Sequence, residues 1–180
     1  PTDPLRINAA NGVITRYAAD GSTILARDRA EGFEMFIGSD SNDTLFGAMP
    51  EPGSQLIIDG GGGDDVLYSR GASLTAGGSG NDTIYATLPS GVARLNHSTS
   101  FDGGNGYDVL DTRQLDARVF VRLQGSLGTR ISAFDAEDAR DLESLSDPAA
   151  SGVSSLFSGN LTGIEELLLG DHDDEVLLMG

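Results

Sequence analysis

A glycine- and aspartate-rich nonapeptide recurs along the chain and constrains its fold more than any other feature of the sequence. Three copies, at residues 60–68, 77–85 and 103–111, satisfy the pattern Gly-Gly-x-Gly-x-Asp-x-U-x, in which U is a large aliphatic residue. A weaker copy at residues 38–46 keeps the first glycine, the aspartate and the aliphatic residue. Such a repeat predicts an array of similar structural units that stack on one another.

We place a fifth copy near the C-terminal end of the chain. Residues 163–168, Gly-Ile-Glu-Glu-Leu-Leu, are aligned with residues 32–37, Gly-Phe-Glu-Met-Phe-Ile, which precede the first copy. Continuing this alignment without gaps puts Asp174 opposite Asp43 and Val176 opposite Leu45. A local alternative has Glu175 at the aspartate position and Leu177 at the aliphatic one. We prefer Asp174 because it keeps the spacing from the shared Gly-x-Glu.

The residue types within the repeat indicate a site for a hard cation. Glycines let the backbone adopt positive φ and turn its carbonyl groups inward. Calcium takes about 6–8 oxygen ligands, which carbonyl and carboxylate groups supply equally well. The turn therefore offers carbonyl oxygens and the aspartate at position six offers charge. The x-U-x tail predicts a short strand with U on its inner face.

The spacing of the copies predicts coils that stack with their turns in line. The motif residues Asp43, Asp65, Asp82 and Asp108 follow one another at steps of 22, 17 and 26 residues. Two nine-residue units make a circuit of about 18 residues. The 17-residue step therefore corresponds to one bare circuit, and the longer steps carry insertions at residues 48–54 and 89–99. Return strands are predicted at residues 55–59, 73–76 and 93–101, with Ile58 and Phe101 facing inward.

The composition raises the question of what neutralises the carboxylates. The formal charge is −17, all eleven basic residues are arginine, and there are 25 glycines and no cysteine. Such a chain is not expected to bind nucleic acid, and it lacks disulfides to offset the entropy lost when glycines are ordered. No apolar run is long enough for a membrane span. A bound metal is the remaining source of stabilisation.

These repeats resemble the RTX (repeats-in-toxin) family of calcium-binding proteins, over most of residues 31–111 and 161–180. Serralysin-type protease tails, haemolysins and the R-modules of alginate epimerases belong to that family. The resemblance implies an all-β fold, a right-handed parallel β-roll (β-solenoid), in which several Ca²⁺ ions lie between successive glycine/aspartate turns. Carried onto this chain, the metal site residues are Asp43, Gly60, Gly61, Gly63, Asp65, Gly77, Gly78, Gly80, Asp82, Gly103, Gly104, Gly106, Asp108 and Asp174. Among them, Asp43 and Asp174 lie in turns that depart from the pattern: Ser39 and Ser41 replace glycines in the first, and Leu169, Asp171 and His172 fall within the last.

The segments outside the repeats define the predicted organisation of the chain. Residues 1–30 form a cap containing a hairpin, with strands at residues 13–17 and 22–26 around Asp20-Gly21. Residues 31–128 form the roll, including a strand at residues 118–124, and residues 161–180 its last coil. Residues 129–160 are interpreted as a surface insertion with a short helix at residues 134–145, or alternatively as an element that contacts a partner.

Two functions from different classes follow from this interpretation, and neither is enzymatic. Only His97 and His172 are present as histidines, and no nucleophile or zinc-helix motif accompanies them. The first function is a calcium-triggered folding module that supports type I secretion and extracellular stability of a larger exported protein, of which this chain is expected to be a part. The alternative is a module that binds a polysaccharide or cell surface, using Arg94, Arg113, Arg118 and Arg122.

Overall fold

A computed structural model describes residues 2–88, 95, 98–115, 117–123, 129–135, 155–171 and 174–178. These residues form strands and turns without any helix, and so no described segment is a helix that could cross a membrane. In chain order the strands are β1 (Leu5–Asn8), β2 (Val13–Tyr17), β3 (Ile24–Arg29), β4 (Met35–Ile37), β5 (Thr44–Phe46), β6 (Ile57–Gly62), β7 (Val66–Tyr68), β8 (Leu74–Ser79), β9 (Thr83–Tyr85), β10 (Ser100–Asn105), β11 (Val109–Asp111), β12 (Ala117–Leu123), β13 (Thr129–Asp135), β14 (Ser155–Thr162), β15 (Glu166–Leu168) and β16 (Glu175–Leu178).

The strands form two eight-stranded sheets, which we call sheet A and sheet B. Sheet A has the order β15-β11-β9-β7-β5-β1-β2-β3, and sheet B has the order β16-β12-β13-β14-β10-β8-β6-β4. From β4 to β11 the chain passes alternately through the two sheets, and each strand lies parallel to the strand two before it. The predicted all-β fold with parallel strands is confirmed. The sheets are mixed because β1–β3 and β12–β14 pair antiparallel.

The register brings equivalent repeat positions side by side. In sheet A, the aliphatic residues of the four N-terminal copies are neighbours across the strands and are 0% exposed: Leu45, Leu67, Ile84 and Leu110. In sheet B, the return strands align Ile58, Thr75 and Phe101, which are equally buried. The aliphatic side chains of both sheets belong to one hydrophobic cluster. The inward orientation predicted for Ile58 and Phe101 is confirmed.

The return strands begin and end later in the sequence than predicted. They run into the glycine turns, so that Gly61 pairs with Gly78 and Gly78 with Gly104 across neighbouring strands. This continuation is possible because the second glycine of each motif pairs with its equivalent in the neighbouring strand and also bends the chain. The consequence is that the turns are held in line by main-chain hydrogen bonds as well as by side chains.

The N-terminal hairpin is confirmed, with its second strand starting at Ile24. A strand that the sequence did not predict, β1, joins the hairpin to the repeats, because it pairs antiparallel with β2 and parallel with β5. The three N-terminal strands therefore extend sheet A beyond the first repeat. Ile7 in β1 is 2% exposed and adds to the hydrophobic cluster.

The interpretation of residues 129–160 as a surface insertion is wrong for the parts that the structure describes. Strands β13 and β14 lie within sheet B between β12 and β10, and Ile131 and Ala133 are completely buried. Their apolar inner faces explain this position, since the cluster continues along the sheet through them. Phe134 and Asp135 end β13 instead of starting a helix. The remainder of the predicted helix, residues 136–145, lies outside the described residues.

An aromatic stack runs across the strands of sheet A at the last position of the repeat. Phe46 and Tyr68 have ring centroids 4.8 Å apart with an interplanar angle of 5°, and Tyr68 and Tyr85 have centroids 4.8 Å apart at 12°. The guanidinium groups of Arg6 and Arg70 lie 4.9 and 4.8 Å from the Phe46 centroid. Each aromatic pair contributes about 0.5–1.5 kcal/mol beyond the area that it buries, and a cation–π contact contributes about 0.5–1 kcal/mol.

Candidate metal centre

The glycines of the three complete repeats have the backbone geometry that the motif predicts. The second and fourth motif positions all have positive φ: Gly61 (96°), Gly63 (97°), Gly78 (110°), Gly80 (126°), Gly104 (101°) and Gly106 (142°). A side chain at the second position would also overlap the backbone of the preceding turn. A Cβ at Gly78, for example, would overlap the carbonyl oxygen of Gly61. Both the conformation and the close approach therefore require glycine.

The motif aspartates are linked from turn to turn by a ladder of hydrogen bonds, which we call the position-six ladder. The amide of Asp43 donates to Oδ1 of Asp65 (2.7 Å), that of Asp65 to Oδ1 of Asp82 (2.8 Å), and that of Asp82 to Oδ1 of Asp108 (2.8 Å). The amide of Asp108 donates in turn to Oε2 of Glu165 (2.8 Å). One oxygen of each carboxylate is thereby held in a fixed orientation.

The second oxygen of three aspartates is buried without any partner. Asp65, Asp82 and Asp108 are at most 1% exposed, and their Oδ2 atoms accept no hydrogen bond from protein groups. An unpaired carboxylate oxygen in such a place costs several kcal/mol of folding free energy. A metal-free chain therefore has an unfavourable feature that is repeated once in each complete turn.

Carbonyl oxygens converge on the same places as the unpaired carboxylate oxygens. A Cβ added at Gly60 would overlap both Asp65 Oδ2 and the carbonyl oxygen of Gly77, and one added at Gly77 would overlap both Asp82 Oδ2 and the carbonyl oxygen of Gly103. Acceptors of both kinds thus lie close to the same point between neighbouring turns. This arrangement is repulsive unless a cation or a proton lies among the oxygens.

Burial raises the pKa values of the motif carboxylates. Desolvation raises the pKa of Asp65 from 3.8 to about 8 and that of Asp82 to about 6, and charges on neighbouring carboxylates add to the effect. Burial also raises the pKa of Asp43 and of Asp108. In each case the hydrogen bond to a main-chain amide opposes the shift. The ionised form of these groups therefore requires a compensating positive charge.

The available ligand atoms fit calcium and do not fit a soft metal. All candidate ligands are carboxylate or carbonyl oxygens, as hard cations prefer, and the chain has no cysteine. Among the described residues, no three His, Cys, Asp or Glu side chains are grouped so that they could hold a metal ion by themselves. Main-chain carbonyl groups would have to complete the coordination, and the glycine turns bring such groups next to Asp65, Asp82 and Asp108.

Asp43 and Asp174, the two less regular candidates, have both carboxylate oxygens hydrogen-bonded. Oδ1 of Asp43 accepts from the amide of Leu5 (2.5 Å) and the hydroxyl of Ser39 (3.1 Å), and Oδ2 accepts from the amide of Ser39. Oδ1 of Asp174 accepts from the amide of Val119 (2.7 Å), and its Oδ2 accepts from that of Gly170 (2.9 Å). These two carboxylates are thus satisfied by protein donors.

The alignment that made Asp174 the fifth motif aspartate is wrong. Glu165 takes the position next to Asp108 in the position-six ladder, and Leu167 pairs with Leu110 in sheet A. Val176 and Leu177 lie instead in β16 of sheet B, where Val176 is 50% exposed.

The fifth turn is three residues shorter than the third complete turn. Asp102 pairs with Thr162 and Leu110 with Leu167, so that eight positions in one turn correspond to five in the other. A glutamate, longer by one methylene group, occupies the aspartate position in this shortened turn. The Gly-x-Glu likeness between residues 32–34 and 163–165 therefore does not reflect equivalent places, because β4 lies in sheet B and β15 in sheet A.

A second ladder, at position five of the repeat, runs in the opposite direction. The amide of Asp64 donates to Oδ1 of Asn42 (2.9 Å), that of Asn81 to Oδ1 of Asp64 (2.7 Å), and that of Tyr107 to Oδ1 of Asn81 (2.9 Å). Here each side chain accepts from the following turn, whereas in the position-six ladder each accepts from the preceding one. Asn or Asp at position five of three consecutive copies was the signal in the sequence for this ladder.

The structure describes only some of the residues that the sequence suggested for other kinds of site. His97, His172 and Arg94 lie outside the described residues. Arg113 is bonded to the buried carboxylate of Asp111 (2.7 Å), and Arg118 is 8% exposed. The arginines proposed to recognise a polysaccharide thus include one held by a carboxylate and one withdrawn from solvent.

Compared with known proteins, the chain matches no protein-family model and resembles no curated protein at a significant level. The candidate site therefore rests on the repeat residues and on their geometry.

Proposed function

We propose that this chain is a calcium-binding module of the RTX kind, folded as a right-handed parallel β-roll, whose folding depends on the bound ions. The observation that carries the proposal is the set of three buried, unpaired Oδ2 atoms of Asp65, Asp82 and Asp108, each of which lies near a glycine carbonyl oxygen of the next turn. Those three carboxylates and the carbonyl groups of Gly77, Gly103, Gly163 and their neighbours would hold the ions.

The ion would supply positive charge where the protein has only acceptors. A carboxylate buried beside carbonyl groups gains nothing from folding until a cation offsets its lost hydration. With the cation bound, the same groups are attracted to a common centre, and the free energy of binding becomes free energy of folding. The formal charge of −17 strengthens this dependence, because the compact state also has to overcome general repulsion.

A folding switch of this kind suits a module that is exported, as part of a larger protein, through a type I secretion apparatus. Cytosolic calcium is low, so the carboxylates repel one another and the chain stays unfolded. Outside the cell, calcium in the millimolar range would fill the sites, since extracellular modules bind it with Kd values of about 10⁻⁴–10⁻³ M. The folded module then contributes extracellular stability to the protein that carries it.

The contacts of the aromatic residues favour this function over polysaccharide binding. The faces of Phe46, Tyr68 and Tyr85 are turned toward one another in the stack, and a sugar ring needs an exposed face. Tyr107 is 55% exposed, but it lies at the end of the position-five ladder and its hydroxyl is 3.3 Å from Glu166.

The test is far-UV circular dichroism of the purified chain as calcium is raised from zero, in EDTA, to about 10 mM, well above the Kd range of extracellular modules. A transition from coil to β structure with calcium is expected. Magnesium at the same concentration should not replace it, because it demands shorter bonds and octahedral geometry. A chain that has its full β signal in EDTA and gains no thermal stability from calcium would contradict the proposal.

A further inference from the structure

The five aspartates proposed as metal ligands fall into two groups according to the residue four positions before each one. They are Asp43, Asp65, Asp82, Asp108 and Asp174. Before Asp65, Asp82 and Asp108 this residue is a glycine with positive φ: Gly61, Gly78 and Gly104. Before Asp43 it is Ser39, and before Asp174 it is Gly170, and neither has positive φ. The three carboxylates of the first group keep an unpaired Oδ2, whereas the two of the second group are fully hydrogen-bonded.

The backbone conformation at this residue explains the difference. With φ outside the left-handed region, the amides of Ser39 and Gly170 are directed at the carboxylate four residues later and donate to its Oδ2. With φ of 96°, the amide of Gly61 donates instead to Oδ1 of Asp59 (3.0 Å) and leaves Oδ2 of Asp65 without a donor. Such donors favour the anionic form of a carboxylate and so supply part of what a bound cation would supply.

Ser39 supplies two of the three donors to Asp43. Its amide reaches Oδ2 and its hydroxyl reaches Oδ1, while both residues are at most 3% exposed. A glycine at this position would remove the hydroxyl and would be free to adopt the positive φ seen in the other turns. The amide and the hydroxyl of Ser39 thus donate to a carboxylate whose equivalents in the complete turns keep an unpaired Oδ2.

We infer that Ser39 closes the first turn to calcium and makes it a metal-independent end of the repeat array. The inference rests on the proposed calcium function and adds to it the residue that decides whether a turn takes an ion. A turn in which the residue four positions before the aspartate is a glycine with positive φ is open to calcium, and Ser39→Gly would open the first turn by allowing that conformation.

Counting bound ions tests this directly. Equilibrium dialysis against calcium, followed by elemental analysis, gives the number of ions per chain for the parent, Ser39→Gly, Asp43→Asn and the double variant. Ser39→Gly is expected to bind one more ion than the parent, and the double variant should lose that ion again. Asp43→Asn in the parent background should leave the number unchanged, because Asp43 is already satisfied by Leu5 and Ser39.

The outcomes separate this inference from the proposed function. A parent chain that binds no calcium would refute the function itself. A parent that binds calcium, with no additional ion in a folded Ser39→Gly, would overturn the role of Ser39. If Ser39→Gly does not reach the far-UV spectrum of the calcium-loaded parent, Asp43→Asn decides: loss of an ion overturns the inference, and an unchanged number supports it.

Discussion

Replacing Asp82 by asparagine should have opposite effects on the metal-free and the calcium-bound states. The asparagine keeps Oδ1, which accepts the amide hydrogen of Asp65, and puts an amide group in place of the unpaired Oδ2. That group can donate to carbonyl oxygens such as Gly103 O, which lies close to the same place. The substitution also removes one of the charges that would bind the cation.

The size of the effect follows from the raised pKa of Asp82. Its folded-state pKa of about 6 lies above the value of 3.8 expected for the unfolded chain, so the ionised group opposes metal-free folding. Two pKa units correspond to about 3 kcal/mol, and the penalty develops between about pH 4 and pH 6 and persists above. At neutral pH, Asp82→Asn should therefore stabilise the metal-free fold by up to about 3 kcal/mol and weaken calcium binding by more than about tenfold.

The matched control is Asp20→Asn, which removes the same charge from the exposed hairpin turn. Hydrogen bonds from Thr23 and Ser22 lower the pKa of Asp20 to about 2, so its ionised form favours folding instead of opposing it. Folding in EDTA, driven by trimethylamine N-oxide, gives the metal-free stability even of a chain that is unfolded in buffer. Calorimetric titration gives the calcium affinity of each variant.

Equal behaviour of the two variants would refute the reasoning. If both lost calcium affinity to the same extent, the ions would be responding to overall charge, and the assignment of Asp82 to a site would be wrong. If Asp82→Asn folded no more readily in EDTA than the parent, the buried carboxylate would not be the obstacle to metal-free folding.

Three further predictions follow from the buried groups and the turns. Because the folded-state pKa values of Asp65 and Asp82 exceed 3.8, the folded metal-free chain binds more protons than the unfolded one, so its β signal in EDTA should rise as pH is lowered from about 8 to 5. Thr75→Val should raise the free energy of unfolding in calcium by about 1–2 kcal/mol in a urea titration, because the Thr75 hydroxyl is buried without a partner; an unchanged or lower value would indicate that the hydroxyl is satisfied. Gly78→Ala should lower the free energy of unfolding in calcium by about 3 kcal/mol or more, since φ is 110° and the Cβ would meet the Gly61 carbonyl. A loss below about 1 kcal/mol would show that the turn can relax.

The parts of the fold that depend on fixed spacing within one repeat were predictable from the sequence. An aliphatic residue two positions after each aspartate has to face inward when the tail alternates, and Leu45, Leu67, Ile84 and Leu110 do so. The glycine positions were predictable for a similar reason, since only glycine tolerates the required φ.

The parts that depend on how distant segments pair were not predictable in this way. Glu165 is the ladder partner of Asp108 because the fifth turn is shortened, and an ungapped comparison of Gly-x-Glu segments cannot detect a deletion. The segment that forms β13 was assigned to an insertion because it carries no repeat, but the burial of Ile131 and Ala133 draws it into sheet B. The hydrogen bonds that Asp43 and Asp174 accept from the amides of Ser39 and Gly170 also escaped prediction, since they depend on the backbone conformation at those two residues.

The aromatic stack provides an intrinsic spectroscopic signal for the packing of the repeats. The chain has no tryptophan and only four tyrosines, and two of these, Tyr68 and Tyr85, lie face to face on neighbouring strands beside the turns of Asp65 and Asp82. Rings held in a fixed chiral arrangement give a near-UV dichroism signal, which is lost in compact states whose side-chain packing fluctuates. An increase of that signal during a calcium titration would therefore indicate side-by-side packing of the second and third repeats. A far-UV change without that increase would reveal a loosely packed intermediate. Neither measurement needs an attached label.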